Sequence, residues 1–582
     1  MGAAASGRQW VLRDADLREA LTITQKAGID PVLARVLAAR GVGYEQVQAY
    51  LNPALRDIMP DPNIMQDMDK AATRICDAIL NGEKVGVFGD YDVDGTTAAA
   101  IFKTYFNALS APLAIYLPDR ILEGYGPSIE AFRSLKNEDG VKLIITVDCG
   151  ASAHEPVEQA VADGLDIVVI DHHMMNGPPP KGAAAVVNPN RLDDISGLDN
   201  LSAAGVAFMA VVALNRKLRE AGHFKTTKEP DILSLLDLTA LGLVCDVMQL
   251  TGLTRVLVAQ GLKILGSGGN EGLLALGRCA GVSGPPSTYH LGFLLGPRIN
   301  AAGRIGHARL AFELLTTSDQ SRRQFLAEKL HTLNAQRQEI EAAVQEDALR
   351  TIETKNLNAN DVIVVAGEGW HPGVIGIVAG RLKDMFDKPV VVISLDGEIG
   401  KGSGRSISGV DLGNAITALN NQNILIAGGG HAMAAGLTVA RQNLELFSAR
   451  MNETLRSPVQ TARLNRTLKL DGMIAPGAVS KSFVDTINLA GPYGPGNSEP
   501  VFAIANVRPG YVKTVGKNHI VATLMSDSGE AVRAIAFRAE GEPLGTMLRS
   551  GKRLHVAGKI RADDWRGGDA GQLQITDAGE AA

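Results

Sequence analysis

Cysteine is scarce in this sequence, and its spacing excludes two kinds of site. The 582 residues include four cysteines, Cys76, Cys149, Cys245 and Cys279, and no two of them form a Cys-x-x-Cys pair. So sparse a set excludes a disulfide framework and a cysteine zinc site, and it predicts buried thiols in a reducing compartment. We therefore expect a cytoplasmic protein.

Long apolar segments are also missing. No uninterrupted apolar run approaches the roughly 18 residues of a membrane-spanning helix, and residues 1–10 lack the apolar core of a signal peptide. With 45% hydrophobic and 21% charged residues, the composition is typical of a soluble globular protein. We expect no association with a membrane.

A general excess of basic residues, which many nucleic-acid-binding proteins have, is absent as well. The formal net charge is −6, and residues 461–582 carry only slightly more Lys and Arg than Asp and Glu. Any path for a nucleic acid must therefore be a local basic track rather than a property of the whole surface.

The order of apolar patterns divides the chain into several domains, as its length predicts. Strand and helix patterns alternate from about residue 71 to 260, which indicates a doubly wound, mostly parallel sheet. A single helical pattern at 318–354 would span about 50 Å, at about 1.5 Å per residue. The predicted segments are a helical, peripheral lead-in at 1–70, an α/β domain at 71–317, a connecting helix at 318–357, a second α/β domain at 358–456 and an all-β barrel at 461–582.

Three aspartates at alternate positions form the most informative motif. Asp90, Asp92 and Asp94 follow an apolar strand pattern and precede an alanine-rich helix pattern. Carboxylates are costly to bury without partners, and alternate ones in an extended segment point the same way, so the spacing suits a hard divalent cation. An acidic loop or a helix cap is the plain alternative. An EF-hand loop is disfavoured, because Ile101 stands where that loop needs a glutamate.

Two later strand patterns also end in residues that ligate metals. One apolar run ends in Asp148, and the next ends in Asp171, His172 and His173. The carboxyl ends of parallel strands meet at one edge of a sheet, where such sheets bind ligands. We therefore predict that these residues join the three aspartates in one metal centre.

The triplet Asp171-His172-His173 and the acidic strand ends resemble the DHH phosphoesterase superfamily. Within it, nearly the whole chain resembles the RecJ family of exonucleases, and the run Gly428-Gly429-Gly430-His431 resembles the signature of their DHH-associated domain. The resemblance implies a fold of two α/β domains, DHH and DHH-associated, joined by a long helix and followed by an all-β OB-fold.

The resemblance also implies two divalent ions, Mn²⁺ or Mg²⁺, and Mn²⁺ is favoured because an imidazole ligand suits the softer ion. One ion would be held by Asp92 and Asp148, with Asp90 in or near its shell. The other would be held by Asp94, Asp148, His172 and Asp246. His173 would lie on the phosphate side, and Asp171 would orient a histidine. The implied catalytic residues are Asp92, Asp94, Asp148, His172 and His173.

Further motifs resemble segments of the family that contact DNA. Arginine side chains and glycine-rich turns can bring guanidinium and N–H groups close to phosphate, although a surface loop or a structural turn has the same composition. The candidate residues for contact with phosphate or DNA are Arg120, Tyr125, Arg298, Asn300, Arg304, His371, Ser403, Arg405 and His431. Among them, Arg120, Ser403 and Arg405 would hold a 5′ phosphate, and Tyr125 would stack on a base.

The barrel would add a platform for a single strand, with Tyr511, Lys517, Arg533 and Trp565 as candidate contacts. Packing of Trp565 inside the barrel is the alternative.

The function that the resemblance implies is a single-stranded-DNA-specific exonuclease of DNA repair and recombination. It would work from 5′ to 3′ and release 5′-mononucleotides by two-metal hydrolysis. A small-substrate relative, such as a nanoRNA or cyclic-dinucleotide hydrolase, is the alternative, but it would need neither the long helix nor the barrel. A metal-free scaffold is a third interpretation, which the intact aspartates argue against. The implied partners are single-stranded DNA, a helicase and a single-strand-binding protein, and the expected state is a monomer.

Overall fold

The N-terminal segment contains one strand and several short helices. The structure of the protein is a computed structural model, which describes residues 4–563 and 568–581. The elements of the N-terminal segment are β1 (Gln9–Leu12), α1 (Leu17–Ala27), α2 (Pro31–Ala38), α3 (Val47–Leu51) and α4 (Leu55–Ile58). Asp16 and Asp30 begin α1 and α2, because each carboxylate accepts hydrogen bonds from two N–H groups of the first turn that have no partner within the helix.

Alternating apolar strands and helices then form the first α/β domain. Its elements are α5 (Met68–Leu80), β2 (Val85–Gly89), α6 (Val93–Ala108), β3 (Leu113–Tyr116), α7 (Ile129–Asn137), β4 (Leu143–Val147), α8 (His154–Ala162), β5 (Asp166–Ile170), β6 (Ala185–Val187), α9 (Ala203–Glu220), α10 (Leu236–Cys245), α11 (Gly252–Gly266), α12 (Glu271–Cys279), a π-helical segment (His290–Leu295), α13 (Gly296–Ile305) and α14 (Arg309–Thr316). The strands pair in parallel in the order β3-β2-β4-β5-β6. Every residue of β2 and β4 is buried, because side chains on the two faces of the sheet enter two separate cores. The predicted parallel sheet is thus confirmed.

One long helix, α15 (Gln320–Thr354), connects the two α/β domains. Its first half packs Leu326 and Leu330 into the core of the first domain, and its second half packs Ala348 and Ile352 into the core of the second. The predicted connecting helix is therefore confirmed. Neither α15 nor any other helix in the described part of the chain is long and apolar enough to cross a membrane.

The second α/β domain has a mixed sheet. Its elements are β7 (Ile363–Glu368), α16 (Ile375–Phe386), β8 (Val390–Asp396), β9 (Ile399–Arg405), α17 (Leu412–Asn421), β10 (Ala427–His431), β11 (Ala434–Ala440) and α18 (Leu444–Leu464). The strand order is β10-β11-β9-β8-β7, with β7 and β8 parallel and the other pairs antiparallel. In this register Arg405 lies opposite Ala434, and Ala434 lies opposite His431.

The C-terminal region closes into a barrel, which confirms the predicted OB-fold. Its elements are β12 (Thr467–Leu470), β13 (Gly472–Met473), α19 (Lys481–Asn488), β14 (Phe502–Val515), β15 (His519–Met525), β16 (Ala531–Ala536), α20 (Pro543–Arg549), β17 (Leu554–Ala562) and β18 (Gly571–Glu580). Two irregularities interrupt the register of β14, which pairs with β15 along one part and with β17 along another, so the sheet closes on itself. Trp565 lies outside the described residues.

The N-terminal segment is not the peripheral lead-in that we expected. β1 pairs in parallel with β12, and Leu33 and Leu37 of α2 share one hydrophobic core with Phe502 and Leu554 of the barrel. The two ends of the chain are thus packed together. Hydrophobic periodicity predicts which residues are buried, but it does not indicate which distant segment covers them.

Candidate active site

The ends of three neighbouring strands come together as predicted. The last residues of β2, β4 and β5 lie in register, so Asp90, Asp148 and Asp171 leave the sheet side by side. The N–H of Asp148 still donates to the carbonyl of Ile170 (3.1 Å), which continues the ladder. Asp148 itself has a φ of 62°, in the left-handed region that non-glycine residues seldom adopt. Such conformations cluster at functional sites.

Asp92 begins helix α6 and keeps one carboxylate oxygen available. Its Oδ1 accepts from the N–H groups of Asp94 (2.8 Å) and Gly95 (3.1 Å). Gly95 is required here, because a Cβ at that position would lie 2.6 Å from the backbone nitrogen of Asp90. The motif is therefore a strand-to-helix turn with its third aspartate inside the helix, and not an EF-hand loop.

Asp94 is buried in the first turn of α6 and forms hydrogen bonds with the start of α9. Its carboxylate accepts hydrogen bonds from the hydroxyl of Ser202 (2.7 Å) and from the N–H groups of Ala203 (2.6 Å) and Ala204 (3.0 Å) at the start of α9. Burial, and then the charge of Asp92, raises the pKa of Asp94 to about 7.

Two compact groups of ligand atoms correspond to the two ions that the resemblance implies. The first comprises Asp90, Asp92 and Asp148, and the second comprises Asp94, His172 and Asp246; a third group, Asp148, His172 and His173, overlaps both, and within each group the ligand atoms lie within 4.8 Å of one another. The Nε2 of His172 lies 3.3 Å from Asp148 and 3.4 Å from Asp246, which links the groups.

The electrostatics of this centre fit divalent cations. Burial, and then the charge of Asp92, raises the pKa of Asp90 and of Asp148 well above its ordinary value. Among the described residues, one buried oxygen of Asp90 and one of Asp246 accept no hydrogen bond. Burial also lowers the pKa of His172 to about 4, which keeps its imidazole in the neutral, metal-binding form. Crowded carboxylates with free oxygens are costly unless cations lie between them.

Asp171 orients His173 rather than the candidate ligand His172. Its Oδ1 accepts from the Nδ1 of His173 (2.8 Å) and from the N–H groups of both histidines, and its Oδ2 accepts from the N–H of Ala151 (3.0 Å). Burial alone would raise the pKa of Asp171, but the contact with His173 holds it at about 2. The same contact outweighs burial and raises the pKa of His173 to about 9.

A cluster of arginines adjoins the carboxylates. Arg120 lies over the ring of Tyr91, 4.9 Å from its centre, and Tyr91 stands between Asp90 and Asp92 in the sequence. Burial, followed by the charges of Arg120, Arg337 and Arg405, lowers the pKa of Arg304 to about 10. Like charges gathered in this way favour a bound anion.

The second α/β domain completes this cationic cluster. The Nη1 of Arg405 donates to the hydroxyl of Ser403 (3.0 Å), and the Nη1 of Arg304 donates to the carbonyl of Gly373 across the domain boundary (2.8 Å). A Cβ on Gly376, at the start of α16, would lie 2.9 Å from the Ser403 hydroxyl. A helix N-terminus, a hydroxyl and guanidinium groups thus meet, which is a suitable arrangement for a phosphate.

Four predicted contacts remain, in or near the two α/β domains. His371 accepts from the N–H of Gly373 through its Nδ1, and His431 is exposed on the edge strand beyond Arg405. Arg298 donates to the carbonyl of Leu294 and to His331 of α15, and Asn300 is half-buried on α13. A contact with DNA stays a prediction for all four: His371, His431, Arg298 and Asn300.

Comparisons with known proteins identify the family. Models of the DHH family N-terminal domain, the DHHA1 domain and the RecJ OB domain match residues 84–243, 359–457 and 470–577. The single-stranded-DNA-specific exonuclease RecJ of Bacillus subtilis is 33% identical over 99% of this chain and 71% of its own length. RecJ of Escherichia coli is 32% identical over 94% of this chain and 96% of its own length. The chain belongs to the RecJ family. The domain boundaries predicted from the sequence stay predictions.

A solved RecJ structure has the same architecture. RecJ from Thermus thermophilus in complex with Mn²⁺ superposes with a TM-score of 0.80 and 28% identity, over 99% of this chain and 80% of that one. The same protein has also been solved in complex with Mg²⁺. These are the two ions that the acidic centre of this RecJ chain suits.

Sequence reasoning missed two supporting residues of this RecJ site. Tyr91, which lies under Arg120, could have been found as the only aromatic residue inside the aspartate motif. Ser202, which donates to Asp94, has no local signal, because 108 residues separate the two.

Proposed function

We propose that this chain is a single-stranded-DNA-specific exonuclease that hydrolyses phosphodiester bonds from 5′ to 3′ and releases 5′-mononucleotides. The observation that carries the proposal is that the acidic centre and the arginine cluster lie side by side, with Arg120 over the aspartate motif. A strand whose end phosphate is held by the arginines would present its next phosphodiester to the carboxylates. RecJ relatives, named as single-stranded-DNA-specific exonucleases, support this substrate.

We assign the metal ligands by the two compact groups. Asp90, Asp92 and Asp148 would hold one ion, Mn²⁺ or Mg²⁺, and Asp94, Asp148, His172 and Asp246 the other. Two such ions, when bound, activate water and offset the charge that develops on the phosphate. Asp148 lies within reach of both groups and would keep them at a fixed separation. The positive charge of His173, maintained by Asp171, lies 3.9 Å from Asp148 and would help to hold the phosphate.

The polarity would come from the arginine cluster. Arg120, Arg304, Ser403 and Arg405 would bind the terminal 5′ phosphate, since their donors converge from both α/β domains. Binding of the end sets the direction in which the next bonds are cleaved. Tyr125 would still be able to stack on a base, because the residue is 55% exposed.

The barrel would hold the strand before it enters the cleft. Tyr511, which is 75% exposed, and Lys517 are available on its surface, and Arg533 contacts Asp563. We further propose that the protein acts as a monomer in the cytoplasm, in DNA repair and recombination, with a helicase and a single-strand-binding protein as partners.

The test is cleavage of a long single strand that carries a separate label at each end, with purified protein and Mn²⁺. Early release of mononucleotides from the 5′ end, with none from a blunt duplex, is the expected result. The variant Asp148→Asn should lose cleavage and should bind Mn²⁺ more weakly in calorimetry. Release from the 3′ end would refute the assigned polarity, and cleavage confined to di- and trinucleotides would favour the small-substrate alternative.

A further inference from the structure

Tyr125 lies between two glycines at the end of a braced loop, residues 117–126. It stands between Gly124 (φ 82°) and Gly126 (φ 88°), both in the left-handed region. The rest of the loop is held firmly: Glu123 accepts from the N–H of Asp119 (2.6 Å) and from the hydroxyl of Tyr116 at the end of β3 (2.7 Å). The two glycines allow the backbone to turn sharply on each side of Tyr125, and the hydrogen bonds of Glu123 fix the turn that leads to it.

The hydroxyl of Tyr125 is aimed at the acidic centre. It lies 3.2 Å from the carbonyl oxygen of Asp148, and 3.2 and 3.3 Å from the two ring nitrogens of His173. The two rings are tilted, with their centres 5.5 Å apart. A phenol can donate one hydrogen bond and accept others, so it can donate to Asp148 while its oxygen faces His173. The Nδ1 of His173 already donates to Asp171, and an oxygen equally far from both ring nitrogens is in line with neither N–H, so the Tyr125 hydroxyl packs against the ring of His173 while Asp171 holds its edge.

The same loop carries a residue of the arginine cluster. Arg120 follows Asp119, whose carboxylate accepts from the N–H groups of Ile121 (2.8 Å) and Leu122 (3.0 Å). Arg120 and Tyr125 are thus two ends of one rigid turn. One end reaches the proposed phosphate site and the other reaches His173.

We propose that Tyr125 is a positioning residue: its hydroxyl fixes the orientation of His173 and, through the loop 117–126, couples that orientation to the phosphate held by Arg120. This inference rests on the proposed function. It differs from a role in base stacking, which requires the ring and not the hydroxyl.

The variant Tyr125→Phe separates the two roles, because it keeps the ring and removes the hydroxyl. We expect kcat on a 5′-phosphorylated single strand to fall about tenfold, the lower range for loss of a residue that orients a catalytic group, with KM within twofold of wild type. Binding of the same strand in EDTA, measured by fluorescence anisotropy, should be unchanged. Tyr125→Leu, which also removes the ring, should lose both kcat and affinity. The matched control is Tyr289→Phe, the same change on an exposed tyrosine outside the site.

The coupling is tested by comparing 5′-phosphorylated with 5′-hydroxyl strands. In wild type the end phosphate should raise kcat, and Tyr125→Phe should reduce that advantage. Tyr116→Phe, which removes the donor that anchors Glu123, should lower kcat in the same direction. Wild-type kcat in Tyr125→Phe, or a raised KM with unchanged kcat, would overturn the inference. If wild-type protein itself releases no nucleotide from 5′ ends, the proposed function fails instead, so the two failures are distinguishable.

Discussion

Replacing Asp171 with asparagine tests the electrostatics of the candidate site most directly. The carboxylate accepts hydrogen bonds from three backbone N–H groups, those of Ala151, His172 and His173, and from the Nδ1 of His173. Asparagine has nearly the same shape, but its amide group donates where the carboxylate accepts. Asp171→Asn therefore sets donor against donor in a buried position and removes the negative charge beside His173.

The magnitude follows from the pKa of Asp171, about 2 against an ordinary value of 3.8. The difference of 1.8 pKa units, at about 1.4 kcal/mol each, means that the ionised carboxylate with its hydrogen bonds stabilises the fold by about 2.5 kcal/mol. The raised pKa of His173, about 9, reflects the same contact with Asp171, so it contributes no second stabilisation free energy.

The pH range in which the contact stabilises the fold follows from the two directions. The pKa of the Asp171 carboxylate is lowered on folding. Its contribution to stability is therefore present above about pH 4 and is lost as the pH falls through 2. The pKa of the His173 imidazole is raised on folding. Its contribution to stability is therefore complete below about pH 6.5 and is lost as the pH rises through 9. The stabilisation is therefore complete between about pH 4 and 6.5.

The assay is urea unfolding of metal-free protein at pH 6 and at pH 9.5. We expect Asp171→Asn to lower the free energy of unfolding by about 2.5 kcal/mol at pH 6 and by less at pH 9.5. The control is Asp166→Asn at the start of the same strand, where an exposed pair with Arg74 should contribute less than about 1 kcal/mol. A loss below about 0.5 kcal/mol at pH 6, or one that does not shrink by pH 9.5, would refute the reasoning.

Three further predictions concern the ions, the 5′ end and the barrel. Mn²⁺ at 100 times its dissociation constant should stabilise the wild-type protein by about 2.7 kcal/mol for each site, measured by thermal melts. The variant Asp148→Asn should lose most of this stabilisation. An equal stabilisation of the variant by Mn²⁺ would contradict the ligand assignment. Arg405→Met should narrow the preference for 5′-phosphorylated over 5′-hydroxyl ends in competition assays, whereas a pure loss of rate on both ends would contradict phosphate recognition. Leu37→Ala should destabilise the barrel by about 2–5 kcal/mol, because Leu37 packs in the barrel core although it lies more than 400 residues away in sequence. Amide hydrogen exchange in β14 should become faster. Unchanged exchange would show that the shared core does not stabilise the barrel.

Much of the candidate site could be predicted from local sequence. Asp90, Asp148 and Asp171 each follow a strand with an unmistakable apolar pattern, and parallel strands of one sheet bring their carboxyl ends to the same edge. The long helix and the barrel strands were predictable for the same reason, since their signals lie within about 10–35 neighbouring residues. In these regions local preference and tertiary packing agree.

Other features depend on contacts between distant segments. No sequence pattern near residue 202 predicts that Ser202 and the start of α9 donate hydrogen bonds to Asp94. No pattern in residues 1–51 predicts that this segment shares a hydrophobic core with the barrel. An aromatic residue in this loop predicted that Tyr125 stacks on a base, but not that its hydroxyl reaches Asp148 and His173.

The sequence by itself determined the strands, the helices and the carboxylates at the strand ends, because hydrophobic period and turn chemistry act over a few residues. Only the tertiary structure decided which histidine Asp171 orients, which helix Asp94 caps and which carbonyl of the second domain accepts from Arg304. Those outcomes depend on how separate elements pack, and packing selects partners by shape and by unsatisfied polar groups rather than by position in the chain.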